Sequence, residues 1–190
     1  MTQASLSEAE IKIELTAQEV VQVKNSLLAV GFEFISKDTL KEYYLTKNRS
    51  PLGGWDFERL RVIDDHTFLY TVKKWILDKN SNAIRLEDEK AISKEESAQL
   101  IDKGYVLHYT KEREDFKGVT AGNNMTVSID TLVLDNQKKY FLECEIIIEQ
   151  EKAHDAREFL KEWMQETLNV NTEHEAPSMI DIVSGFSKSS

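Results

Sequence analysis

The stretch DFERLRVIDDHTFLYTVKKWILDKNSNAIRLEDEKA, residues 56–91, decides the fold. Apolar and charged residues alternate in three parts of it, Phe57–Val62, Phe68–Lys74 and Ile84–Ala91. Because side chains alternate across a strand with a period of two, each part predicts a β-strand with one apolar and one charged face. Asp64-Asp65 and the polar residues 78–82 predict the turns between the strands. The stretch therefore predicts an antiparallel hairpin array with a charge-lined face.

The same alternation predicts strands on both sides of this stretch. The further strand regions are Glu10–Leu15, Phe32–Ser36, Lys41–Thr46, Tyr105–Phe116, Met125–Leu134 and Tyr140–Glu149. The intervening segments Arg49–Trp55 and Gly118–Asn124 are rich in glycine, proline or asparagine and are predicted to be loops.

Two capping-box sequences predict where helices begin. Thr16 with Glu19, and Ser93 with Glu96, have the spacing at which the two side chains satisfy the first free amides of a helix. These helices should end at Gly31 and Gly104. A third helix is expected over about residues 152–168, with a short helical turn at 180–183. The chain is therefore predicted to be α+β, with about eight mostly antiparallel strands and three helices.

Composition excludes several classes of protein. The formal net charge of −10 argues against general binding to nucleic acid or to anionic membranes, because both need a basic field. No apolar run approaches the roughly 20 residues of a membrane span, and the polar N-terminus does not resemble a signal peptide. Cys144 is alone, so no internal disulfide can form. We expect a cytoplasmic protein, monomeric or homodimeric, with one domain over residues 1–190 and flexible ends at 1–8 and 185–190.

One face of the predicted strands carries seven basic and seven acidic residues. The basic residues are Lys12, Arg59, Arg61, Lys73, Arg85, Lys111 and Arg113, and the acidic residues are Glu10, Glu14, Glu87, Glu89, Asp130, Glu143 and Glu145. One interpretation is an open sheet whose charged face lies in water and carries weak cross-strand ion pairs. The other is a closed barrel whose charged interior holds a polyanion and a divalent cation, since arginine binds phosphate oxygens and carboxylates bind Mg²⁺ or Mn²⁺.

The order of these residues resembles the CYTH family, the triphosphate tunnel metalloenzymes, over nearly the whole chain. The motifs that carry the resemblance are Glu10-Ile11-Lys12-Ile13-Glu14, Arg59-Leu60-Arg61, Thr71-Val72-Lys73, Arg85-Leu86-Glu87-Asp88-Glu89, Lys111-Glu112-Arg113, Asp130 and Glu143-Cys144-Glu145. The resemblance implies an eight-stranded antiparallel closed barrel, or tunnel, with a charged interior and helices packed outside. The chain departs from the family in two places. The second and third charges of Glu-x-Glu-x-Lys are exchanged at Lys12 and Glu14, and Pro177-Ser178-Met179 stands where many members carry a Ser-Tyr pair.

The resemblance also implies roles for the charged residues. The triphosphate would be held by Arg59, Arg61, Lys73, Arg85, Lys111 and Arg113. One or two Mg²⁺ or Mn²⁺ ions would be held by Glu10, Glu87, Glu89, Asp130, Glu143 and Glu145. Catalysis would involve Lys12, Glu14 and Lys73.

The resulting hypothesis is a metal-dependent hydrolase of tripolyphosphate, a nucleoside triphosphate or thiamine triphosphate. The enzymatic alternative is a class IV adenylyl cyclase, which makes cyclic AMP and pyrophosphate from ATP. The non-enzymatic alternative is a polyphosphate- or nucleotide-binding module, which the exchange of Lys12 and Glu14 favours. In each case the expected partner is a small triphosphate.

Overall fold

The computed structural model describes residues 6–77, 83–134, 136–149 and 152–186. Eight strands are present: β1 Leu6–Leu15, β2 Glu33–Arg49, β3 Trp55–Ile63, β4 Thr67–Leu77, β5 Ala83–Ala91, β6 Leu107–Thr120, β7 Asn123–Leu134 and β8 Gln137–Glu149. The helices are α1 Ala17–Ala29, α2 Lys94–Asp102, α3 Ala153–Leu168 and α4 Met179–Phe186. The predicted α+β class with eight strands is confirmed.

The strands are hydrogen-bonded in the order β1-β8-β7-β6-β2-β3-β4-β5, so β1 and β5 are the two terminal strands. The expected closure into a barrel is therefore not present among the described residues. Two groups occupy the outer edge of β1: the Arg157 guanidinium donates to the Glu10 carbonyl, and the Ala176 N–H donates to the Lys12 carbonyl at 2.8 Å. The carbonyl groups of Glu10 and Lys12, which face away from β8, therefore have hydrogen-bond donors although no further strand pairs with β1 here.

By its internal contacts the chain divides into two compact units. Unit 1 comprises residues 1–37 and 112–182, and unit 2 comprises residues 38–111 and 183–190. Strands β2 and β6 and helix α4 contribute residues to both units. No helix of the described residues is long and apolar enough to cross a membrane.

The core of unit 1 follows from the alternation in β1 and β8. The buried apolar residues of these strands are Ala9, Ile11, Ile13, Leu15, Leu142, Cys144 and Ile146. Helix α1 contributes Val20, Val23 and Leu27, and α3 contributes Ala156, Leu160, Trp163, Met164 and Leu168. Because one face of β1 and β8 is packed beneath these helices, the alternate residues Glu10, Lys12, Glu143 and Glu145 share the opposite face. The buried packing position expected for Cys144 is confirmed.

Both predicted capping boxes are formed. The Thr16 hydroxyl accepts from the Glu19 amide at 3.2 Å, and the Thr16 amide donates to the Glu19 carboxylate at 2.7 Å. Ser93 and Glu96 make the equivalent pair of bonds at the start of α2. Local sequence signals therefore located the beginnings of these helices correctly.

Two predictions about strand limits are wrong. The expected separate strands at 32–36 and 41–46 are one strand, β2, of 17 residues. The expected loop Gly118–Asn124 is a continuation of β6 to Thr120, followed by a tight turn at Ala121 and Gly122, both at positive φ. Gly118 lies within the strand, and its missing side chain leaves room for the Phe32 ring, whose nearest atom is 2.6 Å from the position that a Cβ would take.

Candidate functional site

Strand register brings charged residues of unit 2 into adjacent positions. Strand β3 lies between β2 and β4, and β4 pairs in turn with β5. The directly opposed pairs are Glu42 with Arg61, Tyr44 with Arg59, Arg59 with Thr71, Thr71 with Glu89, and Lys73 with Glu87. We call Glu42, Arg59, Arg61, Lys73 and Lys111 the basic cluster.

Glu42 is the centre of the basic cluster. Its Oε1 accepts a hydrogen bond from Arg61 Nε at 2.9 Å, and its Oε2 lies 3.3 Å from Arg59 Nε. The residue is 0% exposed. Burial alone would raise the pKa of Glu42, but Arg59, Arg61 and Lys111 outweigh it and lower the pKa to about 2. Glu42 is therefore a buried carboxylate surrounded by three cations.

The other members of the basic cluster are also withdrawn from water. Arg59 is 8% exposed and Lys111 4%. Arg59 Nη2 donates to the Thr71 hydroxyl at 3.4 Å, and that hydroxyl donates to Glu89 Oε2 at 2.8 Å. Lys73 forms an ion pair with Glu87. The interpretation in which these charges lie in open water is therefore wrong for Arg59 and Lys111.

The structure brings together six of the sequence-predicted site residues in unit 2. These are Arg59, Arg61, Lys73, Glu87, Glu89 and Lys111. The seventh predicted residue of this unit, Arg85, lies in β5, and its side chain is outside the described part of the chain.

Three residues of this site were not predicted. Glu42 has the strand phase of buried Leu40 and Tyr44, so a carboxylate at an apolar position of β2 was the available signal. The Tyr44 and Tyr109 hydroxyls lie 3.5 Å apart beside it, and burial together with Tyr44 and Glu42 raises the pKa of Tyr109. No local sequence pattern separates these tyrosines from ordinary core residues.

Unit 1 holds a second group of charged residues, which we call the acidic cluster: Glu8, Glu10, Lys12, Glu143 and Glu145. The register of β1 and β8 places Glu10 opposite Glu145, and Lys12 opposite Glu143. Lys12 Nζ lies 2.7 Å from Glu143 Oε2 and 3.2 Å from Glu10 Oε1. Burial alone would lower the pKa of Lys12, but these two carboxylates outweigh it and raise the pKa.

Negative charge exceeds positive charge in the acidic cluster. Burial, the Glu8 carboxylate and a hydrogen bond with Glu8 raise the pKa of Glu145 to about 8. Burial and the charge of Glu143 raise the pKa of Glu10. Within the described ranges, no three acidic, histidine or cysteine side chains already converge as a metal site. The cluster nevertheless fits a hard divalent cation chemically, because buried carboxylates that share a proton can exchange it for a metal ion.

Arg113 and Asp130 of unit 1 hold each other. Arg113 Nε lies 2.7 Å from Asp130 Oδ1 and Nη2 lies 2.8 Å from Oδ2, while Glu143 Oε1 is 3.4 Å from the same Nη2. Asp130 is 0% exposed. The predicted phosphate ligand and the predicted metal ligand are thus bonded to each other. Burial alone would lower the pKa of Arg113, but Asp130 and Glu143 outweigh it and raise the pKa.

Glu14, predicted to be catalytic, is not brought into the acidic cluster. Its side chain is 51% exposed and its carboxylate pairs with Lys139 at 2.6 Å. Strand β1 gives Glu14 the same phase as Glu10 and Lys12, but it lies at the end of the strand, where the Leu15–Tyr140 pair closes the ladder. Glu14 therefore lies on the same face of β1 as the acidic cluster but is much more exposed to water.

The fold is found in solved structures, although no family model and no curated protein matches the sequence. The PH1819 protein of Pyrococcus horikoshii OT3 has 21% identity and a TM-score of 0.63, with 94% of this chain and 99% of that chain covered. A candidate adenylate cyclase of Vibrio parahaemolyticus has 16% identity and a TM-score of 0.66, with 96% and 99% covered.

For a third protein of known structure, an enzymatic activity is described. HpAC1 of Hippeastrum, described as a candidate adenylyl cyclase with a dominant triphosphatase activity, has 14% identity and a TM-score of 0.66. The alignment covers 94% of this chain and 96% of that protein. At these identities the likeness establishes the fold alone. The chain therefore has the fold of these solved structures.

Proposed function

We propose that this protein is a divalent-metal-dependent hydrolase that releases phosphate from a triphosphate substrate. The observation that carries the proposal is the basic cluster, in which three cations surround the single buried carboxylate of Glu42. These cations are concentrated in a region largely withdrawn from water, where an anion bound beside them would be strongly stabilised. Phosphate oxygens suit the site because a guanidinium can bind two of them at once.

The roles of the basic cluster follow from its contacts. Arg59 and Arg61 would bind phosphate oxygens, and Lys111 would add positive charge beside them. Lys73 is already paired with Glu87, so an incoming phosphate would compete with that carboxylate for its ammonium group. Phosphoryl transfer needs mainly positioning and charge neutralisation, which these groups supply.

The acidic cluster is the proposed metal site. Glu10, Glu143 and Glu145 would hold Mg²⁺ or Mn²⁺, which suits carboxylate oxygens. When bound, the ion would supply the Lewis-acid chemistry on which metal-dependent phosphoryl transfer relies. Lys12 lies between Glu10 and Glu143 and would share those carboxylates with the ion. The remaining predicted ligands, Glu87, Glu89 and Asp130, are engaged by Lys73, Thr71 and Arg113.

Two other functions have an observation in their favour. Adenylyl cyclase activity is favoured by the fold shared with the candidate cyclase of Vibrio parahaemolyticus. Binding without turnover is favoured by Lys12, whose ammonium already neutralises part of the Glu10 and Glu143 charge on which a metal would depend. We place hydrolysis first because HpAC1, which shares the fold, is described as having a dominant triphosphatase activity.

Phosphorus NMR separates these three functions. The protein is mixed in turn with tripolyphosphate, ATP and thiamine triphosphate, each with Mg²⁺ and then with Mn²⁺. Orthophosphate is the product expected of the hydrolase, and the substrate consumed fastest identifies the preferred triphosphate. Pyrophosphate with cyclic AMP from ATP would replace the hydrolase by a cyclase, and line broadening without product would replace it by a binding module.

A matched pair of variants ties the activity to the basic cluster. Arg61→Ala removes the guanidinium that Glu42 holds at 2.9 Å and should abolish turnover. Lys41→Ala removes an exposed cation of the same β2–β3 pair, where Lys41 contacts Asp65 at 2.7 Å, and should leave turnover unchanged. Equal activity of the two variants would contradict the proposed phosphate site.

A further inference from the structure

Strand phase and register place Glu42 of β2 beside two arginines of β3. It is directly opposite Arg61 in the β2–β3 pair, and Tyr44, two residues on, is opposite Arg59. Both arginines lie on the face of β3 that Glu42 shares, because residues two apart in a strand point the same way. The carboxylate is 0% exposed and lies at hydrogen-bond or ion-pair distance from both guanidinium groups.

Glu42 engages each arginine through the same atom, the Nε. The contact with Arg61 is a hydrogen bond of 2.9 Å, and the contact with Arg59 is an ion pair of 3.3 Å without hydrogen-bond geometry. Over the described residues, Arg61 makes no hydrogen bond through its Nη atoms, and Arg59 uses only Nη2, toward Thr71 and Glu89. The Nη ends, which form the two-pronged donor for a phosphate, thus stay largely available.

We propose that Glu42 is a positioning residue, which anchors the Nε groups of Arg59 and Arg61 so that their Nη groups are presented to a phosphate. The inference rests on the proposed triphosphate function and deepens it by adding a residue that touches the arginines rather than the substrate. The Arg61 guanidinium is planar and rigid, so the hydrogen bond at its Nε also fixes the direction of its remaining donors, while the ion pair holds Arg59 beside the same carboxylate. Preorganised donors bind an anion without first losing side-chain freedom.

A simpler role for Glu42, offsetting the charge of the arginines, predicts the opposite result on mutation. If Glu42 only reduces repulsion among Arg59, Arg61 and Lys111, then its neutralisation raises the net positive charge and tightens the binding of an anion. If Glu42 positions the arginines, neutralisation weakens binding in spite of that added positive charge. The sign of the change in affinity therefore distinguishes the two roles.

The experiment measures the dissociation constant of tripolyphosphate by titration calorimetry in EDTA, so that metal-dependent turnover does not interfere. Glu42→Gln keeps the shape of the side chain and should weaken binding by about tenfold or more. Glu42→Asp keeps the charge but is one methylene shorter, so it should also weaken binding, because it cannot reach both Nε groups. Glu58→Gln makes the same charge change on the opposite face of β3, where Glu58 accepts from the Tyr70 hydroxyl, and should change the constant less than twofold.

Each outcome decides the question. Binding by Glu42→Gln that is as tight as wild type or tighter, or unchanged binding by Glu42→Asp, would overturn the positioning role. Failure of the wild-type protein to bind or hydrolyse any triphosphate would overturn the proposed function, and this inference with it. Normal wild-type binding combined with unaffected variants would overturn this inference alone.

A measurement on the wild-type protein tests the proposal even if the Glu42 variants do not fold. Proton–nitrogen NMR of the arginine side chains, with Arg61→Lys to assign the signal, should show an Nε–H of Arg61 protected from solvent exchange. That signal should persist when tripolyphosphate is added, while the Nη resonances shift. Loss of the protected Nε–H on addition of tripolyphosphate would mean that Glu42 releases Arg61 to the ligand, which contradicts the proposal.

Discussion

Arg113 lies against Asp130 in a two-pronged ion pair, with contacts of 2.7 and 2.8 Å, and the carboxylate is withdrawn from water. Removing one partner of a buried pair leaves the other charge uncompensated. Asp130→Asn should therefore lower the free energy of unfolding by about 3–5 kcal/mol. Urea denaturation monitored by circular dichroism measures the loss. EDTA should not change it if the stabilisation comes from the two contacts between Asp130 and Arg113.

An exposed ion pair of the same unit is the control for this prediction. Lys37 and Glu112 lie 3.2 Å apart, and both side chains are more than half exposed. Exposed pairs stabilise a protein by about 0–1 kcal/mol, so Lys37→Ala should have little effect. A similarly small effect of Asp130→Asn would show that Glu143, 3.4 Å from Arg113, compensates for the loss.

The low pKa of Glu42 makes stability depend on pH in the acid range. The folded value of about 2 is below the ordinary value of 4.5, so the group stabilises the fold above pH 4.5 and loses this effect as the pH falls through 2. Glu42→Gln should cost on the order of 3 kcal/mol at pH 7, and the cost should shrink between pH 4.5 and pH 2. Urea denaturation of wild type and Glu42→Gln at each pH measures the difference in their free energies of unfolding.

If the free energies of unfolding of wild type and Glu42→Gln differed by the same amount at every pH in the series, this prediction would be contradicted. In that case the cost would come from the packing of the amide rather than from the loss of the charge. Glu58→Gln serves as the control, since the contact recorded for the Glu58 carboxylate among the described residues is with the Tyr70 hydroxyl at 2.8 Å rather than with a cation.

The close packing of Gly118 against Phe32 gives a third prediction, about the core of unit 1. A Cβ at residue 118 would lie 2.6–2.7 Å from three atoms of the Phe32 ring, and that ring packs against Trp163 with centroids 5.4 Å apart. Gly118→Ala should therefore destabilise the protein by about 1–3 kcal/mol through overpacking. Thermal unfolding tests this prediction, with Val119→Ala as a control at a neighbouring exposed position. Combining Phe32→Leu with Gly118→Ala should restore part of the lost stability, because the ring that meets the new Cβ is removed.

The sequence predicted those parts of the fold that local patterns determine. Alternation located the central strands and the buried position of Cys144, and the capping boxes located the starts of α1 and α2. In unit 2 the same alternation placed Arg59, Arg61 and Lys73 with Glu87 and Glu89. These predictions succeeded because a two-residue period fixes which side chains share a face.

The predictions that failed depend on residues distant in the sequence. Gly118 was interpreted as a loop residue, whereas its small size accommodates the ring of Phe32, 86 positions earlier. Closure of the sheet was expected, whereas Arg157 and Ala176 satisfy the carbonyl groups at the edge of β1. The role of Glu42 depends on Arg59 and Arg61 of β3 and Lys111 of β6, and a lone carboxylate at an apolar position of β2 does not identify these distant partners.

The raised pKa of Glu145 makes the stability of unit 1 depend on pH in the neutral to alkaline range. Its folded value of about 8 is above the ordinary value of 4.5, so the stability present below pH 4.5 is lost as the pH rises through 8. Glu145→Gln mimics the protonated side chain. In EDTA, the variant should unfold at the wild-type temperature at pH 4.5 and at a higher temperature than wild type at pH 9.

A divalent cation should reverse this order, because it replaces the proton in the acidic cluster. Mn²⁺ should raise the unfolding temperature of the wild type more at pH 9 than at pH 6, since Glu145 must lose its proton before it can bind the ion. Glu145→Gln should respond weakly at both pH values, whereas Glu149→Gln, on the same strand and paired with Lys152, should respond like the wild type. Equal Mn²⁺ responses of all three proteins would place the metal away from Glu145, and the carboxylates of β1 and β8 would then hold only a shared proton.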